Sequence, residues 1–245
     1  HCSEVKAASE IKLRPYQQEA LKSWLKTKRG VVVMPTGAGK THVAIAAIAE
    51  LREPALVVVP TVELVEQWRG RLWQFFPGRV GVWYGEEKRE SCITVITYDS
   101  AYAAVETLGN RYKLLIFDEV HHLPSPSYRQ IAELSPAPHR LGLTATPERA
   151  DGLHVDLDWL VGPVVYRISA SDIRGLWTAD YDIEVVKVSL KENEKRLYRE
   201  LEGRYLGYLR KKGLKFKSPS DFQKLIYLSG RDRGAREALE AWHRM

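Results

Sequence analysis

The chain has 245 residues, 44% of them hydrophobic and 28% charged, enough for one substantial core and a smaller appendage. Its formal charge of +6 is unevenly spread: residues 1–182 carry 21 Lys/Arg against 22 Asp/Glu, and residues 183–245 carry 16 against 9. No apolar run approaches a membrane span and no signal-peptide pattern is present, which excludes a membrane-embedded class and points to an intracellular protein.

In chain order, residues 13–28 read as a helix, with Leu21, Trp24 and Leu25 at helical spacing. An apolar strand over 31–34 leads into Pro35-Thr36-Gly37-Ala38-Gly39-Lys40-Thr41, and a helix over 40–51 follows. A strand, a glycine turn ending in Lys-Thr and a helix are the layout of a phosphate-binding loop. The glycines let consecutive backbone N–H groups converge on phosphate oxygens, and the helix start adds its positive dipole end. Lys40 would reach the terminal phosphates of a nucleoside triphosphate, and the Thr41 hydroxyl would take a place on Mg²⁺. Met34 stands where such loops usually have their first glycine.

Strands are expected at 55–59, 79–83, 93–97, 113–117 and 140–144, with helices over 62–73 and near 99–107 and a further segment at 127–134. That alternation predicts an α/β fold with a doubly wound parallel sheet covered on both faces. Leu114-Leu115-Ile116-Phe117 carries Asp118-Glu119-Val120-His121 at its carboxyl end, where ligands of such sheets gather. Asp118 would face the Mg²⁺ held by Thr41, and Glu119 would orient or deprotonate an attacking water. Leu141-Gly142-Leu143-Thr144-Ala145-Thr146-Pro147 ends a third apolar strand, from which Thr144 and Thr146 can hydrogen-bond back to the acidic tetrad. Cys2 and Cys92 have neither metal-ligand spacing nor the number for a disulfide framework, and Cys92 is expected to pack in or beside a strand as a small hydrophobe.

After Thr146 the pattern loosens until the alternation Ile183, Val185, Val186, Val188. Residues 191–212 read as a helix with the stripe Leu197, Tyr198, Leu201, Tyr205 and Tyr208 or Leu209, expected to be core, and with Gly213 just past its end. A second helix, capped by Ser220 or Asp221, would run through Phe222, Leu225, Ile226 and Leu228. A third would begin near Asp232 and include Ala238, Leu239 and Trp242. Arg210, Lys211, Lys212, Lys215 and Lys217 make this a small basic helical subdomain, suited to a phosphate backbone or to a solvated face.

The phosphate loop, the Asp-Glu-Val-His tetrad and Thr-Ala-Thr, in this order and spacing, resemble the motifs of superfamily 2 helicases and translocases, motors of two RecA-like lobes. The Asp-Glu-Val-His-His-Leu wording is most similar to the XPB type, especially its archaeal members, and the likeness runs from about residue 11 to the end of the chain. The resemblance implies that residues 1–182 form the first RecA-like lobe, with ATP and Mg²⁺ as cofactors, and that residues 183–245 form a thumb-like DNA grip. By the same likeness Leu13-Arg14-Pro15-Tyr16-Gln17 reads adenine through Gln17, supported by Arg14. Thr61 after Val59-Pro60, and Thr97 within Thr94–Ser100, would touch a nucleic-acid backbone, and His121 would join Thr144 and Thr146 in coupling. The strand-separating Arg-Glu-Asp element of the type reads Arg149-Ala150-Asp151 here, so only Arg149 and Asp151 carry over and strand separation through it is not implied.

DNA, a second RecA-like lobe and a repair nuclease or transcription factor are the implied partners, in a prokaryotic cytoplasm or a eukaryotic nucleus. Only 99 residues follow Thr146, too few for the second lobe with its arginine finger, and the chain starts with His1, so an incomplete motor with slow turnover is expected. Gly230-Arg231-Asp232-Arg233 has the wrong spacing for that finger. A nucleotide-gated DNA-binding module, or the motor of a restriction or remodelling ATPase, are the alternatives.

Overall fold

β-Branched runs bounded by Gly and Pro form most of the strands: β1 (Arg29–Val33), β2 (Ala55–Val59), β3 (Val80–Tyr84), β4 (Glu87–Arg89), β5 (Ile93–Thr97), β6 (Leu114–Asp118), β7 (His139–Thr144) and β8 (Val164–Arg167). They make one sheet in the order β4-β3-β5-β2-β6-β7-β1-β8. Every pairing is parallel except β3 with β4. The structure, a computed structural model, describes residues 2, 4–108, 110–148, 151–173, 189–214 and 225–244. The chain divides into two units, His1–Tyr181 and Asp182–Met245.

Successive strand residues alternate between two cores. Val32, Met34, Val57, Val95 and Ile116 pack with α1 (Pro15–Leu25), α2 (Lys40–Leu51) and α3 (Val62–Phe75) on one face. Val31, Val33, Val58, Ile96 and Phe117 pack with α4 (Tyr98–Leu108), α5 (Arg129–Glu133) and α6 (Leu157–Leu160) on the other. Burial on both faces is why these strands read as continuous apolar runs. Each fully buried Val, Ile or Leu contributes about 1.5–3 kcal/mol relative to exposure, so the two cores hold the carboxyl ends of β1, β6 and β7 in fixed register.

Three features depart from expectation. The sheet continues past the loose region after Thr146, where β8 lies beside β1, and α7 (Ala170–Ile173) follows. A short charged strand, β4, closes the opposite edge in antiparallel fashion, a common way to blunt an edge. Cys92 is buried immediately before β5 as expected, but it is joined to Cys2 in a disulfide that crosses 90 residues of sequence. Two cysteines suffice for one bridge, and the fold brings the N-terminal segment alongside β5; sequence spacing carries no trace of that.

In the second unit, α8 (Glu192–Lys211) is followed by Gly213 in the left-handed conformation (φ 64°), as its C-terminal signal implies. Residues 225–229 are helical, and α9 (Arg233–Arg244) begins directly after Asp232. The Asp232 carboxylate accepts the Gly234 N–H (2.8 Å) and pairs with Lys212 (2.8 Å) and the Tyr208 hydroxyl (3.1 Å). Lys212 foremost holds its pKa down to about 2. The stripe on α8 is only partly core: Leu201 and Leu209 are buried, whereas Leu197 and Tyr198 are exposed, because the surface covered is narrower than the stripe. Ile183, Val185, Val186, Val188, Ser220, Asp221 and Phe222 lie outside the described residues.

Candidate nucleotide site

Thr36, Gly37 and Ala38 turn the chain sharply between β1 and α2. Gly37 and Gly39 take φ of 80° and 79°, conformations that cost an L-residue about 1–2 kcal/mol. Gly39 has a second constraint: a Cβ there would collide with the side-chain amide of Gln17. Met34 is fully buried at the end of β1 with no positive φ, so this position requires no glycine. Its carbonyl accepts the Lys40 ammonium (3.2 Å), and its N–H bonds the Thr144 carbonyl (3.0 Å). The expected loop therefore forms with Pro35 through Thr41 at the first turn of α2.

Gln17 fastens α1 to this loop. Its Nε2 donates to the Ala38 carbonyl (2.8 Å), its Oε1 accepts the Arg14 N–H (2.9 Å), and the Tyr16 hydroxyl also donates to Ala38 O (3.0 Å). Arg14 donates to the Tyr16 hydroxyl (3.2 Å). At 4% exposure Gln17 does not present a free amide; one N–H and one lone pair remain for a base. Lys12, Arg14, Gln17, Gly37, Gly39 and His42 line a cavity of about 190 Å³ beside the loop. Burial lowers the pKa of His42, and the nearby Arg71 and Arg14 charges lower it further, so the surroundings are electropositive and suit phosphate.

Across the sheet end, β6 delivers Asp118 and Glu119. Asp118 is 8% exposed; its Oδ2 accepts the Trp68 indole N–H (2.8 Å) and its Oδ1 the Glu119 N–H (3.1 Å). Burial pushes its carboxyl above the usual range, with the Trp68 bond and the Lys40 charge pulling the other way. Glu119 adopts a left-handed backbone (φ 47°), a strained state of the kind found at functional sites. Its carboxylate is one-third exposed and lies 3.5 Å from His121 Nδ1. The fully buried Thr144 hydroxyl donates to the Thr146 carbonyl (3.0 Å) and accepts the Thr146 N–H (3.2 Å). His121 Nδ1 sits 3.2 Å from the same oxygen. The tetrad and the threonine motif are thus brought together.

The remaining expected contacts have mixed placements. Thr61 is exposed and caps α3 by accepting the Leu64 N–H (3.4 Å). Thr97 is buried with its hydroxyl on Ser100 at the start of α4, so that hydroxyl is not offered to a ligand. Asp151 accepts the Leu153 N–H (3.1 Å) in an exposed turn, a capping contact. Arg210 and Lys211 are exposed on α8, whereas Lys212 is committed to Asp232, the opposite charge the fold sets beside it. Arg149, Lys215 and Lys217 lie outside the described residues. Sequence reasoning missed Tyr16, Trp68, Arg71 and Tyr98. Arg71 donates to Thr41 Oγ1 (3.0 Å), and the buried Tyr98 hydroxyl donates to the Asp118 carbonyl (3.0 Å). The only signal for Trp68 and Arg71 was their three-residue spacing on one helical face.

The chain is similar to several known proteins. The chain is 49% identical over 234 residues to the DNA 3'-5' translocase XPB2 of Sulfurisphaera tokodaii, a match covering 96% of this chain and 53% of that protein. It is 36% identical over 202 residues to the DNA 3'-5' helicase XPB of Mycobacterium tuberculosis, covering 78% and 37%. The chain therefore spans about half the length of the first relative and less of the second. Among solved structures, the Hef helicase domain of Pyrococcus furiosus matches with TM-score 0.58 at 21% identity over 95% of this chain and 59% of that one. The UvsW helicase of bacteriophage T4 matches with TM-score 0.56 at 18% identity, covering 66% and 63%. These bear out the RecA-like α/β lobe and the likeness to the XPB type. A family model, Type III restriction enzyme, res subunit, matches residues 10–149, which hold the phosphate loop, the acidic tetrad and the threonine motif. With more than half of its length inside that match, the chain belongs to the Type III restriction enzyme, res subunit family.

Proposed function

We propose that this chain is the ATP-binding and hydrolysing lobe of an XPB-type, DNA-dependent translocase acting on duplex DNA in repair or transcription. The observation that carries the reading is the meeting, at the carboxyl ends of β1, β6 and β7, of a glycine loop, a lysine, a buried aspartate and a strained glutamate. The loop N–H groups and Lys40 bind the phosphates, and Gln17 with Arg14 borders the cavity that takes the base. Glu119 orients the attacking water and accepts its proton as the bond to the leaving diphosphate breaks. His121, held between Glu119 and Thr144, relays the state of that carboxylate to Thr146.

Mg²⁺ fits the donor set. The Thr41 hydroxyl and Asp118 carboxylate are hard oxygens, and no cluster of three or more His, Cys, Asp or Glu among the described residues could hold a metal alone. Such a pair suits an ion that arrives with phosphate oxygens, and bound there it would neutralise charge on the transferring phosphoryl group. DNA is the proposed substrate because both relatives are named for it, and Thr61, Arg210 and Lys211 are exposed to receive a phosphate backbone. A second RecA-like lobe would supply the arginine finger, worth about 10³–10⁵ in rate, and a repair nuclease or transcription factor would be the protein partner.

The test is nucleotide binding and ATP turnover with and without duplex DNA. We expect Lys40→Ala to abolish binding of a fluorescent ATP analogue and Glu119→Gln to spare it while removing residual turnover. Binding that survives Lys40→Ala would refute the reading.

A further inference from the structure

Two side chains of α3, one helical turn apart, hydrogen-bond the two proposed metal-holding residues. Trp68 Nε1 donates to Asp118 Oδ2 (2.8 Å), and Arg71 donates to Thr41 Oγ1 (3.0 Å). The N-terminus of the same helix is capped by exposed Thr61. α4 repeats the pattern: its first turn is capped by Thr97, and its first residue, Tyr98, donates to the Asp118 carbonyl (3.0 Å). Asp118 is therefore gripped by its side chain from one helix and by its backbone from another. Both helices start at segments that resemble nucleic-acid contacts.

Trp68 is 2% exposed, yet an apolar side chain would fill its space as well. Its indole N–H satisfies a buried carboxylate oxygen, and a group that orients a metal ligand in this way typically changes metal affinity about 10–100-fold when lost. A rigid helix moves as a unit, so displacement of its Thr61 end reaches Trp68 and Arg71 together.

We propose that Trp68 is a positioning residue for Asp118, and that α3 links a strand bound at Thr61 to the metal-holding pair through Trp68 and Arg71. This rests on the nucleotide-site reading above, and it assigns a route between DNA and nucleotide inside one lobe. Arg71 would share the Thr41 oxygen with a metal ion, and its positive charge opposes that ion, so filling the site weakens the Arg71 bond and loosens its hold on α3. By linkage, a strand that shifts α3 changes metal–nucleotide affinity by the same factor.

The experiment uses the chain with Mg²⁺, ADP and a duplex oligonucleotide, and it compares wild type with Trp68→Phe and Arg71→Met. Trp68→Phe should raise the Mg²⁺ concentration for half-maximal ADP binding about 10-fold, leaving metal-free ADP affinity unchanged. In ¹H–¹⁵N spectra the indole resonance that Trp68→Phe deletes should shift on adding Mg·ADP and, separately, on adding duplex. Arg71→Met, at an exposed position that does not threaten folding, should abolish the shift caused by duplex. An indole resonance indifferent to both ligands, or a variant whose Mg²⁺ dependence matches wild type, would overturn the inference while Lys40-dependent binding stood. If Lys40→Ala leaves ADP binding intact, the underlying nucleotide-site reading is what has failed.

Discussion

The two units build their polar surfaces in opposite ways. In the first, functional groups are buried and bonded to one another: Gln17 is 4% exposed, Asp118 8% and Thr144 fully enclosed. In the second, the charges are solvated pairs along helices, such as Arg204 with Glu200 at 63% and 55% side-chain exposure. Desolvated hydrogen bonds fix atoms to fractions of an ångström and cost dearly when broken. Exposed pairs contribute little to stability but leave a field that a phosphate backbone can feel. Phosphoryl transfer demands the first kind of surface, and gripping a polyanion needs only the second.

The contrast predicts abrupt loss in one unit and graded loss in the other. The largest effect should come from Gly39→Ala, which forces a side chain into a left-handed position and into the Gln17 amide. Nucleotide affinity should fall about 10-fold or more, measured by titration with a fluorescent analogue, while circular dichroism of the sheet is retained. A smaller and salt-tunable effect is expected from Arg210→Ala with Lys211→Ala. Duplex affinity should drop uniformly across sequences, and the slope of log affinity against log salt should fall by about 1 for each charge removed. An unchanged slope would show that α8 does not meet the backbone.

The smallest effect concerns acid. Asp232 has its pKa lowered from 3.8 to about 2 by Lys212 first of all. A depressed carboxylate adds stability that is present above its unfolded pKa and lost as pH falls through its folded value. The helical signal of the second unit should therefore weaken between about pH 4 and pH 2. Asp232→Asn should flatten that change; an identical acid profile would sever the Lys212–Asp232 pair from the stability of this unit.

Much of the site was legible because its parts are local. A phosphate loop is a strand, two glycines and a helix start within a dozen residues, and the acidic tetrad announces itself by capping an apolar run. The paired nature of Cys2 and Cys92, the burial of Thr97 and the engagement of Lys212 were not legible, since each depends on a neighbour distant in sequence.

Sequence by itself determined the α/β alternation, the position of the loop and the order of the three motifs, because hydrophobic period and glycine placement act over a few residues. Only the tertiary structure decided that β8 joins β1, that Gln17 clasps Ala38, and that Trp68 and Tyr98 close on Asp118 across 50 and 20 residues of chain. Such bonds form where a parallel sheet brings the carboxyl ends of remote strands together, and the geometry of that edge belongs to no single segment.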